Sequence, residues 1–186
     1  MYPVSDAFLR AVRSNTRKYF WTGTIVTRGG MTYEFGAKEI VKGSGYISRQ
    51  CCGSTEIELG TVYAAEMGIT LLSDIDRYTL EDAQVTLVFH LVLADGSVED
   101  VPMGVFEVSE ANRLAKCLEL KAYDFMLRFD KSFNGFETVG TAYDFIALCC
   151  KRCKVEFANK RAEIDAMPNG GVTLSVYTEN DIETCR

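Results

Sequence analysis

The strongest structural signal in this chain lies in residues 84–101, which read QVTLVFHLVLADGSVEDV. Apolar side chains alternate along its first part, as in a β-strand that presents one face to a core. The residues on that face are Val85, Leu87, Phe89, Leu91 and Leu93. Val88 and Val92 fall on the opposite face, so we expect both faces to be covered. Asp95-Gly96 is typical of a two-residue primed turn, which predicts a β-hairpin from Gln84–Leu93 to Val98–Val101.

Strand-forming segments continue on both sides of this hairpin. Aromatic and β-branched residues are concentrated in Tyr19–Thr27, and the turn Arg28–Met31 leads to a predicted partner strand, Thr32–Phe35. Further predicted strands are Ile40–Lys42, Glu56–Leu59, the alternating set Met67, Ile69 and Leu71, Val105–Val108 and Lys116–Tyr123. Residues 19–125 therefore predict a small antiparallel β-barrel or sandwich.

A short helix is predicted before the first strand. Ser5 can cap it, Asp6 suits the positive end of the helix dipole, and Phe8, Leu9 and Val12 form an apolar stripe.

The hydrophobic period changes after Phe133-Asn134-Gly135. Thr141–Asp144 fits a capping box, and it is followed by residues at helical spacing that place thiols on a buried face. These residues are Ala142, Phe145, Ile146, Cys149 and Cys153. Val172–Tyr177 predicts a strand, and Thr178–Asp181 is a second capping-box signature close to the last residue, which suggests a truncated helix. We therefore expect a mainly β chain, with a β-barrel domain over residues 1–130 and the start of a small α+β domain over residues 134–186.

Composition restricts the class of protein. The chain has 186 residues, of which 47% are hydrophobic and 25% charged, with 15 Gly and 3 Pro, values that exclude a disordered or collagen-like chain. The sequence shows neither an apolar run long enough to span a membrane nor a signal peptide, which predicts a soluble globular protein.

The charges are unevenly distributed. The net charge is −6, and residues 51–110 carry 12 acidic side chains against one basic, whereas residues 1–50 carry 8 basic against 3 acidic. Two interpretations stay open. The acidic residues form solvated faces and loops, or they meet basic surfaces of neighbouring subunits and set the register between them.

Seven cysteines without an export signal indicate a reducing compartment. A zinc site is one interpretation of Cys149, Cys150 and Cys153 together with Cys51-Cys52. However, neither of the doublets Cys51-Cys52 and Cys149-Cys150 has the two-residue spacer typical of zinc sites. Buried core thiols are the favoured interpretation, and no metal is predicted. A cysteine nucleophile would need His90, the single histidine, which lies within an apolar strand.

Other candidate sites have simpler interpretations. Gly43-Ser44-Gly45 is predicted to be a turn, because no Lys-Ser/Thr pair follows it. The acidic cluster Asp74, Asp76, Glu81 and Asp82 is interpreted as a solvated loop, and the basic cluster Lys151, Arg152, Lys154, Lys160 and Arg161 as a solvated helix end. No catalytic residue, cofactor or enzyme activity is predicted from these patterns.

Several segments resemble a known family. The start Met1–Ser5 with a following helix and Arg17 resembles the N-terminal region of tail-hub proteins in phages and prophages of Gram-positive bacteria. Other matching segments are Glu58–Val62, Asp95-Gly96 with Val101–Phe106, Leu120–Met126 and the region Thr141–Tyr177. Nearly the whole chain is covered, by structural turns and strands rather than by catalytic motifs.

The resemblance implies a structural role. Such proteins are similar to the hub of contractile tails and to the tail-associated protein at the tip of flexible tails. The family implies a tube-type β-barrel, a second helix-and-strand domain and a homotrimeric ring that closes the tail tube beneath the distal tail protein. The family also implies contacts with tail-tube or tape-measure proteins and no contact with a membrane. DNA is expected to pass through the lumen of the ring without specific binding. The expected location is the virion tail tip, after assembly in the bacterial cytoplasm.

Two other functional classes stay open. In the first, the chain is the N-terminal part of a tail-associated endopeptidase or lysin, whose activity would belong to further C-terminal domains. In the second, it is a secreted adhesin-like domain, which seven cysteines without a signal peptide disfavour.

Overall fold

The computed structural model describes residues 2–50, 63–133, 137–177 and 184–186. The chain divides into two compact units. Unit 1 comprises Met1–Arg49 and Ala65–Asp124, and unit 2 comprises Gln50–Ala64 and Phe125–Arg186. None of the described helices is both long and apolar enough to cross a membrane.

Unit 1 is built around a seven-stranded antiparallel sheet. Its strands are β1 (Lys18–Val26), β2 (Thr32–Phe35), β3 (Tyr46–Ser48), β4 (Glu66–Leu72), β5 (Gln84–Val92), β6 (Val98–Leu114) and β7 (Cys117–Tyr123). The strand order is β2-β1-β5-β6-β7-β4-β3, and every pairing is antiparallel. The prediction of a mainly β chain is confirmed.

β6, the longest strand, pairs with different neighbours along its two halves. Its first part pairs with β5 and its second part with β7, with register shifts at Leu87/Val88 and Val108/Glu110, where the strand bends. The two edges of the sheet are also close in sequence. β2 ends at Phe35, and Ile40 already forms a bridge with Leu71 of β4. β4 is the neighbour of the edge strand β3, and five residues reach at most about 18 Å, so the two sides of the sheet come close to each other here.

The β5–β6 hairpin exists, but its turn differs from the prediction. The Leu93 N–H donates to the Ser97 carbonyl, and the Gly96 N–H donates to the Leu93 carbonyl. This pattern is a three-residue loop that ends in a left-handed glycine, with φ +84° at Gly96. Asp95 does not have the positive φ that a type I′ turn requires at both central residues. The prediction of a two-residue primed turn at Asp95-Gly96 was therefore wrong.

Alternate residues of the strands form the core of unit 1. Ile25, Val85 and Leu87 are fully buried there together with residues of the other strands. The further fully or almost fully buried members are Met67, Ile69, Leu71, Leu80, Phe106, Leu118 and Leu120. Of the face predicted for β5, Leu91 is also buried, whereas Phe89 is only half-buried.

The N-terminal helix α1 (Asp6–Val12) packs beside β5. The Ser5 hydroxyl accepts the Phe8 N–H at 3.0 Å, as predicted for the cap. Of the predicted apolar stripe only Phe8 is buried, with its ring 6.4 Å from that of Phe89, while Leu9 is exposed.

Several short elements differ from the prediction. Ile40–Lys42 is not a strand and forms only the bridge from Ile40, whereas β3 was not predicted. The predicted strand Glu56–Leu59 lies outside the described residues.

Unit 2 contains α2 (Ala142–Cys153), α3 (Arg161–Asp165) and a two-stranded sheet of β8 (Thr138–Gly140) and β9 (Leu174–Val176). The capping box at Thr141 is present, because Asp144 accepts the Thr141 N–H at 2.9 Å. The buried residues of α2 are Phe145, Cys150 and Cys153. Ile146 and Cys149 were predicted to face inwards, but Ile146 is exposed and Cys149 is half-buried. The reason is that the buried face of α2 is centred one residue further along the helix.

The last described residues of unit 2 pair with the segment that precedes β8. Thr184 forms a bridge with Ser132, and the Cys185 N–H donates to the Lys131 carbonyl at 2.9 Å. The predicted second capping box at Thr178–Asp181 lies outside the described residues. A helix that continues to Arg186 is excluded, because Thr184 forms a β-bridge with Ser132.

Candidate functional site

His90 joins three neighbouring strands on the outer face of the sheet. Its Nδ1 lies 2.6 Å from Asp100 Oδ1 on β6, and its Nε2 lies 2.7 Å from Thr22 Oγ1 on β1. Phe20 stacks on the imidazole with the ring centroids 4.5 Å apart. These contacts follow from the register, which places Phe20 opposite His90 and His90 opposite Asp100.

The order carboxylate, imidazole and hydroxyl is also that of a hydrolase triad. Such a triad needs N–H donors aimed at the developing oxyanion. The backbone groups of Thr22 and Gly23 are used by the sheet, since Thr22 is paired with Val88 and Gly23 with Phe35. The N–H of Trp21 points sideways in the plane of the sheet, whereas the Thr22 side chain stands on a face of the sheet. The described surroundings therefore favour a cross-strand polar contact over a catalytic centre. Sequence analysis missed this contact because it depends on the register of three strands.

The thiols of unit 2 are close to one another. Cys149 and Cys153 lie one turn apart on α2, and the thiol of Cys185 is hydrogen-bonded with both. Burial raises the pKa of all three thiols and of Cys150, which keeps them protonated at neutral pH. Within residues 2–50, 63–133, 137–177 and 184–186, no group of three or more His, Cys, Asp or Glu residues is placed to hold a metal. Cys51-Cys52 lies outside the described residues.

The charged clusters singled out in the sequence are exposed. Asp74, Asp76, Glu81 and Asp82 lie on the surface around a 3₁₀ helix, Arg77–Leu80. Asp76 caps this helix by accepting the Tyr78 N–H at 3.1 Å, and Asp82 contacts Arg28 at 3.3 Å. These positions agree with a solvated loop.

The basic cluster is divided among structural contacts. Arg161 pairs with Asp144 at the start of α2, and the Arg152 Nε donates to the Ser132 carbonyl at 2.8 Å. Lys151, Lys154 and Lys160 are exposed. The predicted turn at Gly43-Ser44-Gly45 is present, with φ +81° at Gly43 and the Ser44 hydroxyl donating to the Val41 carbonyl.

A polar network lies across β3, β4 and β7. The Tyr46 hydroxyl donates to Glu66 at 2.6 Å, and Lys121 lies 3.4 Å from the other carboxylate oxygen. The hydrogen bond from Tyr46 lowers the pKa of Glu66, and the same bond raises the pKa of Tyr46. A hydrogen bond with Tyr123 and the charge of Glu66 raise the pKa of Lys121. The groups satisfy one another, so the network stabilises the fixed geometry of the three strands.

One unpaired edge in the described sheet lies along the first half of β1. β2 pairs only with Gly23–Val26, whereas β5 pairs with all of Lys18–Val26. Lys18–Thr22 therefore has a strand on one side only, and we call this segment the β1 open edge. A cavity of about 550 Å³ lies beside it, between Arg17–Trp21 and the segment 37–45 that follows β2.

Basic and aromatic residues line this cavity. Its charged lining residues are Arg17, Lys18 and Lys42, all basic and exposed. Tyr19 is 54% exposed, and Trp21 is half-buried with its ring edge-on to Phe89. This arrangement can bind an anionic group next to an unpaired strand edge. Sequence analysis assigned no role to it, because a strand's sequence does not show how far its neighbour extends.

No protein-family model matches the chain, and no curated protein matches it. Among solved structures, a chain of "Virion of native gene transfer agent (GTA) particle" is similar, with a TM-score of 0.45 and 11% sequence identity. The match covers 74% of this chain and 51% of the other, so the present chain spans about half the length of that neighbour.

Proposed function

We propose that this chain is the N-terminal region of a tail-hub protein of a phage or prophage and has a structural rather than a catalytic role. In this proposal, three copies of the complete protein form a ring at the virion tail tip. The ring contacts the distal tail protein and the tail-tube or tape-measure proteins, closes the tail tube, and anchors host-binding or wall-degrading domains. DNA passes through its lumen without specific binding.

The observation that carries this proposal is the arrangement of the segments that resemble tail-hub proteins. Asp95-Gly96 lies in the loop between β5 and β6, Val101–Phe106 lies in β6, and Leu120–Met126 begins in β7. These three strands are neighbours in the sheet. The region Thr141–Tyr177 contains α2, α3 and β9 of unit 2, so the helix-and-strand elements follow the seven-stranded sheet along the chain, the order that the family implies.

The non-catalytic part of the proposal rests on the polar groups. His90 is held by Thr22 and Asp100 within the sheet, and the described thiols of unit 2 are protonated and buried or half-buried. Reactive thiols and hydrolytic centres normally need an exposed site with activated groups.

The test is the location and oligomeric state of the complete protein. Antibodies against this chain should label the tail tip in electron micrographs of induced particles, and sedimentation of the purified complete protein should give a trimer. Labelling of the capsid, or a monomer at high concentration, would contradict the tail-hub proposal. A hydrolytic activity of the present chain that is lost on His90→Ala would contradict its non-catalytic role.

A further inference from the structure

The hydrogen-bond pattern of β1 determines which groups face the β1 open edge. The Thr27 N–H donates to Met31 of the β2 hairpin, so odd-numbered residues of β1 direct their backbone groups towards β2 and even-numbered residues towards β5. At the open edge, the N–H and C=O groups of Tyr19 and Trp21 therefore point away from β5. In the described part of the chain these groups have no strand partner.

An unpaired strand edge is a template for another strand. The open edge is five residues long, Lys18–Thr22, which corresponds to about 17 Å of β-strand. The cavity beside it leaves room next to these groups, since its far wall is the segment 37–45. Gly45 lies close to the Trp21 ring, because a Cβ built at this position would be 3.9 Å from the ring, in van der Waals contact with it.

The charge of the lining determines which kind of strand fits. Arg17, Lys18 and Lys42 are exposed, and none of the described residues that line the cavity is acidic. The nearby Glu39 is held by the Gly36 N–H at 2.9 Å and does not line the cavity. Basic groups on both sides of a strand edge favour a segment that carries carboxylates, and Tyr19 and Trp21 offer aromatic surface to its side chains.

We infer that the β1 open edge binds an extended acidic segment of a partner protein, which adds to the sheet as a strand beside Tyr19 and Trp21. Backbone hydrogen bonds would provide affinity, and Arg17, Lys18 and Lys42 would select acidic side chains. This site is additional to the proposed ring and does not depend on it. Binding by strand addition can be measured on the single chain.

The probe is an eight-residue peptide of alternating glutamate and valine, titrated into the chain. Trp21 is the only tryptophan and lines the site, so its fluorescence reports binding directly. We expect saturable binding that weakens with salt, and no binding of a matched peptide of alternating lysine and valine. A third peptide, methylated on the backbone nitrogens that would face β1, should bind at least about fivefold more weakly, because each lost hydrogen bond costs about 1 kcal/mol.

Variants of the chain test the same geometry. Tyr19→Pro removes an N–H at the open edge without removing one that faces β5, and should weaken binding of the acidic peptide about fivefold to tenfold. Phe20→Pro is the matched control for position, since it removes an N–H that pairs with β5 and should instead lower the melting temperature. Lys42→Glu leaves the strand intact and should weaken binding of the acidic peptide and reduce its salt dependence.

Four outcomes would overturn the inference. The acidic peptide does not bind, or it binds equally well when its backbone is methylated. A single-stranded oligothymidine binds more tightly and displaces it, which would indicate a nucleic-acid site. The chain dimerises at low concentration and loses dimerisation on Tyr19→Pro, which would make a second copy the occupant. The methylated peptide and Lys42→Glu keep the test decisive if Tyr19→Pro fails to fold. A monomeric complete protein would contradict the proposed ring and leave this inference standing.

Discussion

Gly23 shows how closely the chain packs at a single position. It lies in β1 opposite Phe35 and Leu87, and a Cβ built there would be 2.3 Å from the Phe35 ring and 2.7 Å from the Thr86 carbonyl oxygen. The Phe35 ring is in the core and the carbonyl belongs to the backbone of β5, so neither can move freely.

We predict that Gly23→Ala lowers the free energy of unfolding by about 2 to 3 kcal/mol, because the added methyl group overpacks the core. The measurement is urea denaturation followed by circular dichroism. Gly29→Ala is the matched control. Its Cβ would meet nothing nearer than Thr27 Oγ1 at 3.8 Å, so we expect a change within about 0.5 kcal/mol. Equal effects of the two substitutions would contradict the packing argument.

Asp144 forms an acid-sensitive contact in unit 2. Hydrogen bonds from the Arg161 guanidinium and from the Thr141 N–H hold the pKa of this carboxyl well below its ordinary value of 3.8. A depressed carboxyl pKa stabilises the folded state above the unfolded value, and this contribution is lost as the pH falls through the lower folded value.

We therefore predict that Asp144→Asn reduces stability at neutral pH and makes the remaining stability of unit 2 less sensitive to acid below about pH 4. Chemical denaturation at several pH values, monitored by a probe attached within unit 2, measures both effects. Glu156→Gln replaces an exposed carboxylate on the surface of the same unit and serves as control. An acid sensitivity identical to that of the unsubstituted chain would show that the Arg161 contact is unimportant.

At the level of elements, α2 has a buried face that contains thiols. Cys150 and Cys153 are 6% and 1% exposed, and burial raises the pKa of both. We predict that these two thiols react with a disulfide reagent only after unfolding, which mass spectrometry of the labelled peptides would measure. Zinc after dialysis should be well below one ion per chain. Rapid labelling of Cys153 in the folded chain, or one zinc per chain, would contradict the interpretation of the thiols as core residues.

The elements differ in how far the sequence predicted them. β5 and the start of β6 were predictable because alternating apolar residues and a glycine turn lie within one local segment. The three-residue strands β3 and β8 have too few residues for a hydrophobic period and depend on their partners β4 and β9. The β1 open edge and the contacts of His90 were not predictable for a related reason. Both are set by which strands are neighbours and where each pairing stops.

At the scale of the whole molecule, the uneven charge has two interpretations: solvated surface, or contacts between subunits of the proposed ring. The acidic side chains Asp74, Asp76, Glu81 and Asp82 are exposed, and their described contacts inside the chain are a cap at Asp76 and a surface pair at Asp82. Such surface contacts contribute little to folding, whereas charge between subunits sets their register.

We predict that replacing these four residues by Asn and Gln leaves the melting temperature nearly unchanged. Altered ring formation or slower DNA ejection would support a role of these charges between subunits or in the lumen. Asparagine at position 76 can still cap the 3₁₀ helix, which protects the fold. The measurements are thermal unfolding, sedimentation of the complete protein and the rate of ejection from particles. Glu119→Gln with Glu156→Gln is a control for the loss of exposed charge elsewhere. Unchanged rings with normal ejection would support the interpretation of the acidic residues as solvated surface.

The strand order has a consequence for biosynthesis. Thr22 and His90 are 68 residues apart in sequence, yet their strands are neighbours. Similarly, β4 can pair with β7 only after β7 has been translated. While the ribosome is still translating the middle of the chain, β1 has only the short hairpin with β2, and its aromatic residues lack their partner strand. The local β5–β6 hairpin can form as soon as it emerges and then recruit β1 and β7 on either side. The nascent chain therefore exposes β1 without its partner strand until β5 has been translated. Expression at a high level then favours aggregation of the chain before it folds.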